Sequence, residues 1–236
     1  LQRADISCVG LGMPGMIDHA AGHMVWSPLL TETDKPLRQL AEDRIGVPVS
    51  VDNDANIVTL AELWFGKGRA MADFAVVTIE QGVGMGLVIN HRLYRGASSL
   101  GMELGHTKVQ MDGALCQCGQ RGCLEAYIAD YALVREASTA LDSPDFTVAS
   151  PDILLQQLYE QAKAGNEAAR VIFRRAGRFL ALGLSNVVNL FDPPLIILAG
   201  ERMQYDYLYA DDVLREMQKL SLNRPSEVPQ RVETHA

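Results

Sequence analysis

The sequence predicts an α/β protein. Short apolar runs bounded by glycine and proline alternate with longer segments whose apolar residues fall at helical spacing, and the alternation appears in both halves of the chain. In the first half, Ile6–Leu11 reads as a strand entering the turn Gly12-Met13-Pro14-Gly15. Met16–Asp18 and His23–Trp26 read as a hairpin closed at Ala21-Gly22. Leu37, Leu40, Ala41 and Ile45 then mark a helix over 36–45 that stops at Gly46. Val47–Val51 is a strand delivering the chain to Asp52-Asn53-Asp54, and a second helix spans about 55–65.

The second half repeats the logic. Phe74–Ile79 is a buried strand, Met85–Ile89 another, and Asn90-His91 a tight turn into Arg92-Leu93-Tyr94. One helix is expected over 124–140, with Tyr127, Ile128, Tyr131, Leu133 and Val134 on its apolar face. Pro144 and Pro151 bracket a loop. Helices over 152–164 and 167–190 follow, the latter with a core face through Val171, Ile172, Phe179, Leu180, Leu184 and Val187. Pro193–Gly200 reads as a strand, a polar segment carries Tyr205, Tyr207 and Tyr209, and a last helix covers 211–220. Residues 1–72 are expected to form a partial N-terminal α/β lobe and residues 73–236 a C-terminal lobe. The chain starts without methionine and both ends read as strand, so a fragment is expected.

Composition narrows the function. Its 236 residues are 48% hydrophobic and 21% charged, with a formal charge of -8 and no basic patch. Phosphate backbones demand lysine and arginine, so this segment by itself is not expected to hold nucleic acid. The apolar stretch Phe179–Phe191 is broken by Gly183, Ser185, Asn186 and Asn189 and falls short of a bilayer span. A cytoplasmic protein with no membrane partner is the expectation.

The stretch Gly101–Glu125 holds Cys116, Cys118 and Cys123, three of the chain's four cysteines, with His106 upstream. Thiolates and imidazole are the ligands zinc prefers, and four of them close a tetrahedral structural site. Gly119 and Gly122 let the backbone turn tightly between ligands. A cluster of small buried apolar cysteines is the competing reading. A disulfide fits less well, because Cys116 and Cys118 are too close in sequence to pair.

Asp54 stands where a strand meets a helix, a place where ligands collect in open α/β sheets, and a carboxylate there could take a proton from a hydroxyl. Helix capping by Asn53 and Asp54 explains the same residues. Gly82, Gly84 and Gly86 lie between strands rather than before a helix, which excludes a Rossmann loop.

Together, Glu103-Leu104-Gly105-His106, the CxCGxxGCxE run Cys116–Glu125, the GxPG of Gly12–Gly15 and Asp52–Asn56 resemble the ROK family of sugar kinases and sugar-responsive repressors. The resemblance implies an actin-like (ribonuclease H-like), two-lobed sugar-kinase fold with a zinc-tied loop and a sugar in its cleft. It implies zinc on His106, Cys116, Cys118 and Cys123, with Asn53, Asp54, Glu103, His106 and Glu125 bonding sugar hydroxyls. In the family's kinases the residue matching Asp54 is the base that deprotonates the attacking hydroxyl.

Those kinases carry a phosphate loop of the form GTGxGxG after the strand corresponding to Phe74–Ile79. Here Glu80-Gln81-Gly82-Val83-Gly84 stands instead, closer to the loop of the family's repressors. Gly82 and Gly84 thus read as a vestigial phosphate loop, and Glu80 adds charge that opposes a triphosphate. The expected function is the sugar-binding and dimerising part of a transcriptional repressor of carbohydrate metabolism, its DNA contact in a helix-turn-helix outside this fragment, and the family resemblance implies self-association as a dimer or tetramer. The alternative is an ATP- and Mg-dependent sugar kinase acting on a hexose or N-acetylhexosamine.

Overall fold

In a computed structural model, residues 6–140, 150–200, 203, 210–222 and 231–235 are described. Pro144 and the segment with Tyr205, Tyr207 and Tyr209 lie outside the described residues. The chain forms two compact units, Leu1–Val76 with Met85–Met102, and Val77–Gly84 with Glu103–Ala236.

In the first unit, strand β1 (Val9–Met13) is followed by the hairpin of β2 (Met16–Asp18) and β3 (His23–Trp26), helix α1 (Leu37–Ile45), strand β4 (Val49–Asn53) and helix α2 (Asp54–Trp64). β1 and β4 pair in parallel, Val9 opposite Val49 through Met13 opposite Asn53. The ladder explains why β1 begins at Val9 instead of Ile6: its first bond runs from the Val9 N–H to the Pro48 carbonyl, and Ile6 stays exposed. Pro48 itself has no N–H to give, so β4 starts one residue later. Alternate residues of both strands, Val9, Leu11, Met13, Val49 and Val51, gather with Ile17 and Met24 into one core.

Helix α1 closes this core with Leu37, Ala41 and Ile45, spaced four apart on one face. Leu40, expected on that face, points away and is exposed. The helix ends where Gly46 takes the left-handed conformation (φ 74°) and returns its N–H to the Glu42 carbonyl, a geometry that glycine adopts without strain. The unit is completed by part of β5 (Phe74–Ile79), part of β6 (Val83–Ile89) and β7 (Arg92–Tyr94), the boundary between units falling inside β5 and β6. β6 and β7 pair antiparallel across Asn90 and His91, whose φ values of 51° and 60° are those of a tight hairpin turn.

The second unit contains a 3-10 turn (Leu104–His106), α3 (Glu125–Ile128), α4 (Asp130–Ala140), α5 (Pro151–Lys163), α6 (Glu167–Phe191), β8 (Leu195–Ala199), α7 (Ala210–Leu220) and β9 (Arg231–His235). The helix expected over 124–140 is two helices. Ala129 is extended (φ -70°, ψ 160°), and the Asp130 N–H turns out to the Glu80 carbonyl at 2.9 Å. No glycine or proline marks that break, because a tertiary hydrogen bond makes it.

Leu154, Leu158, Tyr159, Ala169, Ile172 and Phe173 form a core between α5 and α6, with Leu133 and Val134 packed against it. Val171, expected on the core face of α6, is exposed. The five-stranded sheet runs in the order β7-β6-β5-β8-β9, and β8 and β9 are parallel. β8 is buried along its whole length and begins at Leu195, after Pro193 and Pro194, which have no N–H to donate to a ladder. Among the described residues, no helix is long and apolar enough to cross a membrane.

Candidate metal centre and sugar-site residues

His106 closes the 3-10 turn, in which its N–H bonds the Glu103 carbonyl and Thr107 bonds Leu104 through both its N–H and its hydroxyl. The chain then folds back on itself in two steps. Lys108 bridges Cys123 and Leu115 bridges Arg121, both antiparallel, while the Val109 N–H donates to Gly122 and the Cys116 N–H to Gln120. Gly122 (φ 77°) is required at its position, since a Cβ there would lie 1.6 Å from the Gln110 carbonyl oxygen. Tyr127 anchors the loop to α6: its hydroxyl accepts the Ala114 N–H at 2.7 Å and its ring stacks on Phe179 with centroids 4.0 Å apart.

This folding brings one ligand atom each from His106, Cys116, Cys118 and Cys123 within 4.8 Å of one another. Cys118 Sγ and Cys123 Sγ are 3.7 Å apart, as are Cys116 Sγ and His106 Nδ1. A tetrahedral ion with bonds of about 2.3 Å to sulfur places two sulfurs about 3.8 Å apart, so the four donors fit a metal ion. The sulfur separation is far beyond a disulfide bond of about 2.05 Å, and the cysteines are free thiols.

The three thiols are not equivalent. Burial pushes Cys116 up to about 12, so it carries its proton, which faces Glu125 Oε1 at 3.3 Å. Cys118 moves down: burial works against it, but the Gln120 N–H, the neighbouring thiols and the Lys108 ammonium outweigh that. A dication held by His106, Cys116, Cys118 and Cys123 would take the place of the Cys116 proton, so its binding would release acid.

Glu125 is buried at the start of α3, in contact with this cluster. Its Oε2 accepts the Val83 N–H at 3.2 Å, and its Oε1 also receives the Tyr131 hydroxyl at 3.4 Å. Burial, and next the bond to Cys116, hold the Tyr131 phenol well above its ordinary range, so it remains a donor. Glu103 precedes the turn with its side chain exposed. Gly82 lies in the β5–β6 turn, where a Cβ would be 3.2 Å from Glu125 Oε2, and Gly84 is already within β6. Gly86 has a packing reason instead: a Cβ there would strike Thr59 Oγ1 of α2 at 2.0 Å.

In the first unit, Asn53 caps α2. Its Oδ1 accepts the N–H groups of Ala55 and Asn56, and its Nδ2 donates to the Gly15 carbonyl at 3.0 Å. Asp54 opens the helix with an exposed carboxylate that accepts the Ala55 N–H. Although water reaches it, the protein packed around it solvates the charge poorly. This burial raises its pKa, against the lowering effect of the backbone N–H groups and Asn53.

Sequence reasoning missed the residue beneath them. Asp52 is 2% exposed and ties the junction together. Its Oδ2 accepts Arg95 Nε at 2.9 Å and Nη2 at 2.6 Å, and its Oδ1 accepts the Asn53 N–H and Asn56 Nδ2. His19 Nδ1 bonds the Val51 carbonyl at 2.8 Å and lies 3.5 Å from Asp52. Strand alternation after the inward Val51 calls for an outward, polar residue, so an aspartate there gave no signal of its burial, and Arg95, 43 residues away, gave none either.

Fold and motifs define an actin-like protein of the kind shared by sugar kinases and repressors. The chain belongs to the ROK family, which it matches over residues 1–236. It is 28% identical to the xylose repressor of Caldicellulosiruptor bescii, over 89% of this chain and 53% of the repressor. To the glucokinase of Thermotoga maritima it is 34% identical, over 81% of this chain and 63% of the kinase. The ROK glucokinase from Streptomyces griseus, solved with glucose and AMPPNP, superposes with a TM-score of 0.85 at 30% identity, over 98% of this chain and 77% of that one. A ROK transcriptional regulator homologous to the E. coli MLC protein shares the fold with a TM-score of 0.82 at 24% identity, over 97% of this chain and 58% of that one. The chain spans about half to two thirds of the length of these curated relatives, which include both repressors and sugar kinases.

Proposed function

We propose that this chain is the sugar-binding and dimerising part of a ROK regulator of carbohydrate metabolism, with DNA contacted by a helix-turn-helix outside these 236 residues. The observation that carries this reading is the β5–β6 turn. The threonine of the kinase phosphate loop is absent there, Glu80 brings a negative charge, and the Val83 N–H is taken by the Glu125 carboxylate. An amide committed to a carboxylate is not available to a phosphate.

Zinc is the metal that fits three thiolates and an imidazole in this arrangement. When bound it supplies structural bracing to the loop. His106 Nδ1 is the nitrogen nearest Cys116, which leaves Nε2 for a sugar hydroxyl. Within the second unit Glu103 and Glu125 are the further candidate acceptors for sugar hydroxyls, and within the first unit Asn53 and Asp54 are the candidates. The expected ligand is a pentose, hexose or N-acetylhexosamine. The test is metal content together with sugar-dependent melting of the intact protein, because a specific ligand must raise the melting temperature by mass action. A folded, metal-loaded sample that no sugar stabilises would remove the sugar-binding reading.

A kinase remains the second reading, favoured by Asp54. A solvent-accessible carboxylate with a raised pKa at the head of a helix is suited to take a hydroxyl proton as ATP·Mg donates its phosphoryl group. ATP-dependent accumulation of sugar phosphate by the intact protein would establish it.

A further inference from the structure

Among the described residues, the four-ligand cluster has a cationic neighbour that is not one of its ligands. The antiparallel bridge between Lys108 and Cys123 sets the two residues directly across from each other. Lys108 Nζ reaches Cys123 Sγ at 2.9 Å and Gln120 Oε1 at 2.6 Å, so the ammonium is held at two points. Gln120 belongs to the knuckle between Cys118 and Cys123. The lysine thus spans the two arms of the loop, from the His106 side to the Cys123 side.

The charge balance gives this contact a purpose. Three thiolates around a dication leave one net negative charge, and Cys123 is wholly buried, so its sulfur has little access to water. An ammonium hydrogen-bonded to a metal-bound thiolate offsets that charge and draws electron density from the sulfur. It also fixes the direction of the sulfur lone pairs, as outer partners of metal ligands do.

We propose that Lys108 is a positioning residue of the metal centre, compensating its charge through Cys123 and setting both its hold on zinc and the resistance of Cys123 to electrophiles. The inference rests on the metal reading but is independent of sugar binding. Lys108 is exposed, so K108M removes the ammonium while leaving the packed interior of the loop untouched.

The test compares parent, K108M and K108R as intact protein. Zinc affinity is read by chelator competition, Cys123 modification by iodoacetamide with peptide mapping, and the thiolate-to-metal absorption in the cobalt(II)-substituted forms. K108M is expected to bind zinc about tenfold more weakly. In the metal-loaded K108M protein Cys123 should alkylate faster and the cobalt charge-transfer band should shift, with K108R recovering most of each effect. Parent-like affinity, alkylation and spectrum in K108M overturn the assignment to Lys108, and so does a K108R protein indistinguishable from K108M. A parent that takes up no stoichiometric zinc overturns the metal reading as well, so the two failures are told apart.

Discussion

Glu125 accepts the Val83 N–H through one carboxylate oxygen at 3.2 Å while its other oxygen lies 3.3 Å from Cys116 Sγ. One buried side chain thereby links the four-donor cluster to the β5–β6 turn. Glu125→Gln keeps the size of the side chain and removes its charge. Hydrogen bonds to charged groups are worth about 1.5–3 kcal/mol, so sugar affinity measured by calorimetry should fall roughly ten- to hundredfold with metal content unchanged. An unaltered affinity would remove Glu125 from the sugar-contacting set.

Metal and sugar binding should fail together in Cys118→Ser. Its sulfur is an exposed member of the four-donor cluster, and the substitution leaves three protein ligands for a structural ion that takes four. Zinc present at a thousand times its dissociation constant stabilises a protein by about 4 kcal/mol, and a variant that no longer binds it loses a contribution of that order. Metal analysis and thermal melting in the same samples check this. Full sugar affinity in zinc-free protein would break the link between the ion and the sugar contacts.

The Arg95–Asp52 pair predicts a stability effect in the first unit. Arg95→Met strands a carboxylate that is 2% exposed, and breaking a buried ion pair costs about 3 kcal/mol. Urea unfolding should show a loss of that size, and adding Asp52→Asn should return part of it because no buried charge is then left alone. A change below about 0.5 kcal/mol in Arg95→Met would mean that Asn56 and the backbone satisfy Asp52 without it.

Asp54 gives a pH-dependent prediction whose sign follows from linkage. Burial raises its folded-state pKa above the ordinary aspartate value of 3.8, so the charged form is disfavoured in the folded protein. The resulting penalty is absent below that value, develops as pH rises through it, and is complete once pH exceeds the folded-state pKa. Asp54→Asn should therefore be more stable than the parent at pH 7, with the difference vanishing toward pH 3. Urea unfolding in the presence of a chelator reads this without interference from metal loss, and equal stability of the two proteins at pH 7 would contradict the raised pKa.

Much of this arrangement was legible in the sequence because it is local. The four donors of the candidate metal cluster sit within 18 residues, from His106 to Cys123, and the glycines that shape their loop are read from the same segment. The ends of α1 at Gly46 and of β7's hairpin at Asn90-His91 were equally visible, being set by backbone conformations that few residues favour. What stayed hidden is tertiary. The break at Ala129 depends on Glu80, the buried charge of Asp52 depends on Arg95, and the late start of β1 depends on where β4 offers its carbonyls. Leu40 and Val171 satisfy the helical spacing yet face water, because periodicity alone does not fix which apolar stripe meets a neighbour.

The most direct test of the central claim is product analysis of the intact, zinc-loaded protein incubated with ATP·Mg and a sugar that raises its melting temperature. The sugar is expected to stabilise the protein and to be recovered unphosphorylated. Sugar phosphate accumulating over many turnovers, and abolished by Asp54→Asn, would contradict it and make the protein a kinase.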